Sequence, residues 1–588
     1  GFGNAESNKI AINGGSVHDA YAAVTDGGNA IGNIATMTGG KAEYLAGAAT
    51  DYGDNENANG SAINNGVIMS GGEVKEVAGG EAFEAGAEVS GNYVNMSGGT
   101  AQNVYGGNTM YANATGNTVT ISGKAVVTGS GDEGYVDSDP EHTKTKNFGV
   151  YGAHSGMNGS GENTGLGALS DNTVIIKDNA QVSNAYGAYS YGDSEVSGNK
   201  VEITGNVTVG QVNGVENEVS GNVVGGYSAA GSVDSNKVTI GSEDGALTVD
   251  AEFVAGGHSG TGAATNNTVN LRDVTFKQDT EIYGGYSDSG NVSGNNVAIS
   301  GKIEGENGAV VDIYAGRSEN GIADGNKITL NAGADVSKAN LHGAVNGGTN
   351  NQLVIGEGVG NNSWSGTVNS ISNFSRIAFN NVKWQADGTV LTIADTANSK
   401  LTGTVVDADG VNFDATSDVN VGESMTFVAA ANGQKPIEGV SYEFGKYTVG
   451  TMYEGNLSGD AKTGVAEIET KEVASQNNLL AENRAVAAAF VNQGSDLISD
   501  SLDTLSRDGN YGVKTFAAVY GNRSKYDVNS DIKINGWSVI AGVGSEKELQ
   551  NGDFSWGVFY ENGSGNYRTY NEFNNEFFRG DGSLVYNG

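Results

Sequence analysis

Five histidines are the first residues to weigh for acid–base or metal chemistry. His154 and His258 each follow a short box, Val150-Tyr151-Gly152-Ala153 and Val254-Ala255-Gly256-Gly257. Other copies of the box put Asn108, Tyr189, Tyr227, Tyr286 and Arg317 at that place, and His342 stands where another copy has Tyr283. A position that takes Tyr as readily as His fills a stack, so neither proton transfer nor metal ligation is expected there. Gly129-Ser130-Gly131-Asp132-Glu133-Gly134 has the spacing of a phosphate-cradling loop. No helix follows it, and in a chain with 94 Gly such a match arises by chance. Asn55, Asn57 and Asn59-Gly60 mimic the opening of an EF-hand loop without its carboxylates, and Gly66 stands where the bidentate Glu belongs. Arg579-Gly580-Asp581 spells a cell-attachment tripeptide but falls inside a predicted strand. There is no G-x-S-x-G elbow. The absence of Cys excludes thiolate catalysis, disulfides and Cys-based zinc sites. The chain is read as non-enzymatic, with no catalytic, cofactor-binding or metal-binding residue.

The elements that carry these residues are unusual in composition. The 588 residues include 94 Gly and 2 Pro and carry a formal net charge of −38, which repels phosphate; no nucleic-acid partner is expected. Charged residues are only 17% and hydrophobic residues 37%, too balanced for charge-driven disorder. No G-X-Y period is present, which excludes collagen. No apolar run approaches the ~18 residues of a membrane helix. The opening Gly1-Phe2-Gly3 sits inside a repeating pattern and is expected to be an internal boundary.

Residues 1–355 repeat. One unit is a short strand opened by Asn: Asn117-Thr118-Val119-Thr120-Ile121, Asn199-Lys200-Val201-Glu202-Ile203 and Asn236-Lys237-Val238-Thr239-Ile240 are three copies. Alternation puts Val and Ile on one face and Thr, Glu or Ala on the other. The second unit is the box already met. Box to strand is 13 positions from Val104 to Asn117, Val223 to Asn236, Ile282 to Asn295 and Ile313 to Asn326. Strand to box varies, and its longest insertion runs from about Thr128 to Asn147. A fixed framework with variable loops leaving one side describes a solenoid of roughly eleven rungs stacked ~4.8 Å apart. The Asn predicts a stacked amide ladder, and the Gly pairs predict tight corners with positive φ.

From 356 to 472 the repeat decays and bulk appears, with Trp364, Phe374, Phe379, Trp384 and Phe427. Further strands capping the last rung are expected here. Residues 473–507 then lose Gly and gain helix formers. Leu479, Val486, Phe490 and Leu497 follow helical spacing, and Ser475 is the expected N-cap. Four strand patterns of ~10 residues follow, apolar on one side and small or polar on the other. Trp537, Val539, Ala541 and Val543 mark one of them, and Phe554, Trp556, Val558 and Tyr560 another. Long connections are expected at 522–535 and 562–574, with a short turn at 546–552.

This succession resembles a classical monomeric autotransporter of type V secretion. Tyr511 to Tyr520, Gly536-Trp537 with Gly542 and Gly544, and Gly557-Val558-Phe559-Tyr560 resemble the opening of that family's β-domain. The resemblance implies an all-β chain: a parallel β-helix or solenoid passenger (1–355), a C-terminal cap or junction (356–472), a pore-spanning α-helical linker (473–507) and the first four or so strands of a truncated transmembrane β-barrel (508–588). It implies outer-membrane lipid as a partner through a complete barrel, together with barrel-assembly and periplasmic chaperone machinery. It places the barrel in the outer membrane and the passenger on the cell surface or secreted, acting in adhesion or self-association toward a host or bacterial ligand. Some family members sever the passenger between two adjacent Asn at the start of the linker, which here would be Asn477 and Asn478. Alternatives are a stalk for a protease or esterase domain upstream of residue 1, a passenger released by self-cleavage, and a secreted β-helix of polysaccharide-lyase type. The last would need clustered Asp, Lys and Arg, and Lys and Arg are sparse.

Overall fold

The computed structural model describes residues 3–50, 59–129, 149–156, 166–210, 212, 221–241, 245–345, 348–357, 365–380, 382–408, 411–413, 419–431, 441–449, 453–460, 465–506, 512–527, 531–573 and 576–587. The chain is all-β, a parallel β-solenoid with a C-terminal helix and antiparallel sheet. It divides into two compact units, the solenoid and a unit that holds 470–588.

Each rung of the solenoid contributes to three parallel faces. The first is an 11-stranded sheet of very short strands from Ala5–Glu6 to Ala323–Asp324. The second runs from Lys9–Ile12 to Ser441–Glu443 and is built from the Asn-opened units. The third carries the boxes. Register is strict on the second face: Val119 pairs with Val174, Val201 with Val238, and Val269 with Val297. Their side chains are at most 1% exposed, and each contributes roughly 1.5–3 kcal/mol by leaving water. β-branched residues suit this pleated, half-buried position. Parallel pairing continues through 356–443, where Phe379 and Phe427 are wholly buried, and Ser424–Ala430 finally pairs antiparallel with Val465–Val473.

The expected amide ladder is present. Twelve asparagines, from Asn8 through Asn33, Asn65, Asn92 and Asn117 to Asn351, stack one per rung. All but Asn8 are buried. Asn199 shows the pattern. Its Nδ2 donates to Asn236 Oδ1 at 2.9 Å and to Leu169 O at 3.0 Å, while its Oδ1 accepts from both N–H groups of Asn172. Every polar atom is satisfied along the ladder, which is what makes a buried amide tolerable.

The Gly pairs of the boxes do not form the corners. Gly106, Gly107, Gly284 and Gly285 all lie outside the positive-φ set. They are small for another reason: a Cβ on Gly285 would come 2.5 Å from Asn295 Cγ, and one on Gly256 would come 2.5 Å from Gly284 O. The boxes make room for the ladder and for the next rung. A corner lies one residue before every ladder Asn except Asn351; Ser7, Gly32, Asn64, Gly116, Asp171, Ser235 and Gly294, for example, have φ between +54° and +69°.

In the second unit, α1 spans Ser475–Ser506, so Ser475 is its first residue rather than its cap. Four antiparallel strands follow: Gly512–Asp527, Asp531–Leu549, Gly552–Phe573 and Glu576–Asn587. The first three, at 16, 19 and 22 residues, run far beyond the ~10 expected, and the fourth has 12. The stretches 522–535 and 562–574 are mostly paired strand, with Asp527 opposite Asp531 and Phe573 opposite Glu576. Cross-strand hydrogen bonds extend the hairpins through polar sequence that contains no Pro to stop them.

Candidate functional site

The third face carries two columns, one on either side of the box glycines, and most of their members are buried. The first column reads Tyr105, Tyr151, Tyr186, Val224, Ala255, Tyr283, Tyr314, His342. The second reads Glu81, Asn108, His154, Tyr189, Tyr227, His258, Tyr286, Arg317. The histidines thus occupy tyrosine places in register, as their spacing predicts. Ring centroids are 5.2 Å apart for Tyr105 and Tyr151, 5.4 Å for Tyr151 and Tyr186, and 4.5 Å for Tyr314 and His342, with planes within 20° of parallel. Such pairs add ~0.5–1.5 kcal/mol each beyond the area they bury.

No two of these histidines converge. His154 is buried, with Nδ1 3.0 Å from Asn108 Oδ1, and burial pushes its pKa down to about 4. His258 is enclosed by Tyr227, Phe253 and Tyr286. Its Nε2 is buried without a hydrogen-bond partner, and burial pushes its pKa down to about 3. His342 sits 2.7 Å from Ser372 Oγ and 3.4 Å from Asp312 Oδ1. Among the described residues no group of three or more His, Cys, Asp or Glu could hold a metal ion.

One ionisable group on this face escaped the sequence reading. Glu81 is 3% exposed and accepts hydrogen bonds from Tyr44 OH and from Asn108 Nδ2, the latter at 2.8 Å. Burial pushes its carboxyl up to about 7, against the opposing pull of those two donors. With the His154–Asn108 contact this makes a chain across rungs: Tyr44, Glu81, Asn108, His154. At the other end Arg317 forms an ion pair with Glu319 Oε1 at 2.7 Å and donates from a terminal nitrogen to Tyr283 OH at 3.0 Å, while lying over the rings of Tyr283 and Tyr314. Near the chain start a shallow groove of about 590 Å³ is lined by His18, Lys41, Glu43, Glu73, Lys75 and Gln102, among others. Its charges cancel across rungs, Lys41 with Glu73 at 2.6 Å and Lys75 with Glu43 at 2.8 Å.

The remaining sequence candidates are scattered. Asn477 and Asn478 lie in the first turn of α1, where Asn477 N donates to Ala474 O at 2.9 Å. Arg579-Gly580-Asp581 lies within a paired strand, opposite Tyr570, Thr569 and Arg568. The insertion 128–147 lies outside the described residues beyond Gly129, as do Asn55 and Asn57 and all but the first Gly of Gly129–Gly134. No described helix is long and apolar enough to cross a membrane, which has no bearing on strands. Compared with family models, curated proteins and solved structures, the chain matches none. The fold defines a parallel β-solenoid with a C-terminal antiparallel sheet.

Proposed function

We propose that the chain is part of a non-enzymatic autotransporter: a solenoid passenger for the bacterial cell surface, followed by its linker helix and the opening strands of an outer-membrane barrel. The observation that carries this reading lies in the C-terminal unit. One side of the sheet packs on α1 through Val486, Ala489, Ile534 and Tyr567. The register puts Ser538, Ile540 and Glu561 on that side too, each at most 2% exposed. The opposite side leaves Val519, Trp537, Val543, Trp556 and Val558 between 41% and 75% exposed. A helix against the lumen side and an apolar outer side are what a barrel strand set requires before lipid covers it. In this reading the helix is the tether that threads the pore and leads to the passenger. In this reading a closed barrel has outer-membrane lipid and the assembly machinery as its partners. The solenoid then serves adhesion or self-association. Rung-by-rung stacking suits folding after passage, because each rung buries its face on the last.

The test grafts residues 1–507 onto a complete autotransporter barrel in a non-adherent host. Protease shaving checks surface exposure; sedimentation and attachment to host cells are compared with the bare barrel. A gain in either places binding within these repeats. An exposed graft without a gain overturns the adhesive role, and a graft that never reaches the surface overturns the passenger reading.

A further inference from the structure

One stretch of the second face is free of charge, between Lys9 on one side and Lys200 and Glu202 on the other. Across five strands, from Ile34–Met37 to Thr173–Ile176, no outward position is charged. Thr36, Ile68, Asn95, Thr118 and Thr120 stand there in register around Tyr93. The chain as a whole carries a net −38, so a neutral partner meets no repulsion here and an anionic one gains nothing.

Tyr93 is placed in a particular way. It pairs in register with Gly66, and a Cβ on Gly66 would meet Cζ and both Cε atoms of the Tyr93 ring before its hydroxyl oxygen. An approach that reaches those three carbons first comes along the ring normal, so the ring lies face-down on the Gly66 backbone. Its other face turns outward: Tyr93 is half-buried, and no other described ring stacks on it. Ile68, 41% exposed, stands two residues along the strand from Gly66. Asn95 is exposed, two residues from Tyr93 on the same side.

We propose that this face binds a neutral hexose polymer, with one sugar stacked by its C–H face on Tyr93 and its hydroxyls bonded by Asn95, Thr118 and Thr120. The reasons are chemical. An aromatic face laid flat in an uncharged field of hydroxyls and amides matches a pyranose, apolar on its flat side and hydroxylated at its rim. Size points away from a second copy of this chain. Five strands ~4.8 Å apart and four residues long span roughly 250–300 Å², against the ~800 Å² per partner of a standard protein interface. A thin polymer fills that area; a folded partner does not. The inference rests on the solenoid being a displayed binding surface, and it names the ligand class.

The full chain, purified in detergent, is run through native gels cast with hydroxyethyl cellulose, with a neutral galactomannan, or with polygalacturonate. Retardation by at least one neutral polymer and not by polygalacturonate is expected. Tyr93→Ala should weaken that binding about tenfold or more, and Tyr93→Phe should leave it within about twofold. Asn95→Ala, at an exposed position whose loss leaves the rung packed, should weaken it several-fold. Retardation by neither neutral polymer, equal retardation by polygalacturonate, or wild-type binding by both alanine variants overturns the proposal. Surface display of the graft is read separately, so the glycan site and the passenger reading fail independently.

Discussion

Asn117 Nδ2 donates to Asn172 Oδ1 at 2.9 Å although 55 residues separate the two. The longest insertion lies in that gap, and the ladder passes it unbroken, from Asn92 to Asn117 at 3.0 Å and from Asn172 to Asn199 at 2.9 Å. The column of amides therefore carries the register across the insertion.

Removing one amide should be costly on both sides. Asn172→Ala takes the acceptor from Asn117 N and Nδ2 and the donor from Ala114 O, all in the buried ladder. A loss of ~2–4 kcal/mol is expected in urea unfolding, with faster amide exchange at 117 and 172. A midpoint change below about 0.5 kcal/mol would show the ladder to be ornament.

The box glycines should be intolerant of a methyl group. Gly285→Ala would bring its Cβ 2.5 Å from Asn295 Cγ, whereas Gly14→Ala meets nothing within 4 Å. The first should cost ~1–3 kcal/mol and the second should stay within ~0.5 kcal/mol, read as unfolding midpoints. Equal costs would refute the packing explanation.

Corner glycines make a different prediction. Gly116 has φ +66° with open space where a Cβ would stand, so only the backbone resists substitution. Gly116→Val should cost ~1–2 kcal/mol, while Gly116→Asn should cost a fraction of that, since Asn64 and Asn266 already hold φ +54° in the same column. Thermal melts of the two variants decide it; if both lose the same, strain is not the cause.

Much of this is legible in the sequence, and the failures have physical causes. An Asn at a fixed 13-residue distance from a box announces a ladder, and Tyr–His exchange at one position announces a stack. Glycine states only that a Cβ is absent. It does not say whether positive φ or close packing excludes the Cβ, so the box pairs read as corners, which in fact belong to the residue before every ladder Asn except Asn351. Apolar alternation marks the lipid-length part of a strand, and pairing that continues through Asn522 to Asn535 leaves no such mark. Glu81 could have been found, because it stands at the head of the column that Asn108 and His154 continue. Tyr93 on Gly66 needed the register itself; the lone Gly at an outward strand position was its sole trace.

The buried Glu81 and His154 should give the solenoid opposing pH dependences. Unfolded, Glu81 ionises around its ordinary 4.5; folded, burial holds the proton up to about 7. The unfolded chain therefore gains by ionising first, and folded-state stability is lost as pH rises from 4.5 through 7. His154 runs the other way. Unfolded it takes a proton near 6.5, while folded it stays neutral down to about 4, so stability is lost as pH falls through that window. His258, held down to about 3, adds to that acid-side loss. Tyr21, Tyr44, Glu76 and Tyr105 also crowd this end of the face, and Glu76 is itself raised by burial. Glu81→Gln keeps an oxygen for Tyr44 and Asn108 and removes the titration. Relative to wild type it should gain up to ~3 kcal/mol between pH 4.5 and 7. His154→Tyr, which repeats the residue of the next rung, should gain on wild type as pH falls from 6.5 to about 4. Unfolding midpoints measured across about pH 4 to 8 test both. Curves for Glu81→Gln and wild type that run parallel from 4.5 to 7 would mean that the carboxyl is hydrated in solution and that the Tyr44–Glu81–Asn108–His154 chain is not closed to water.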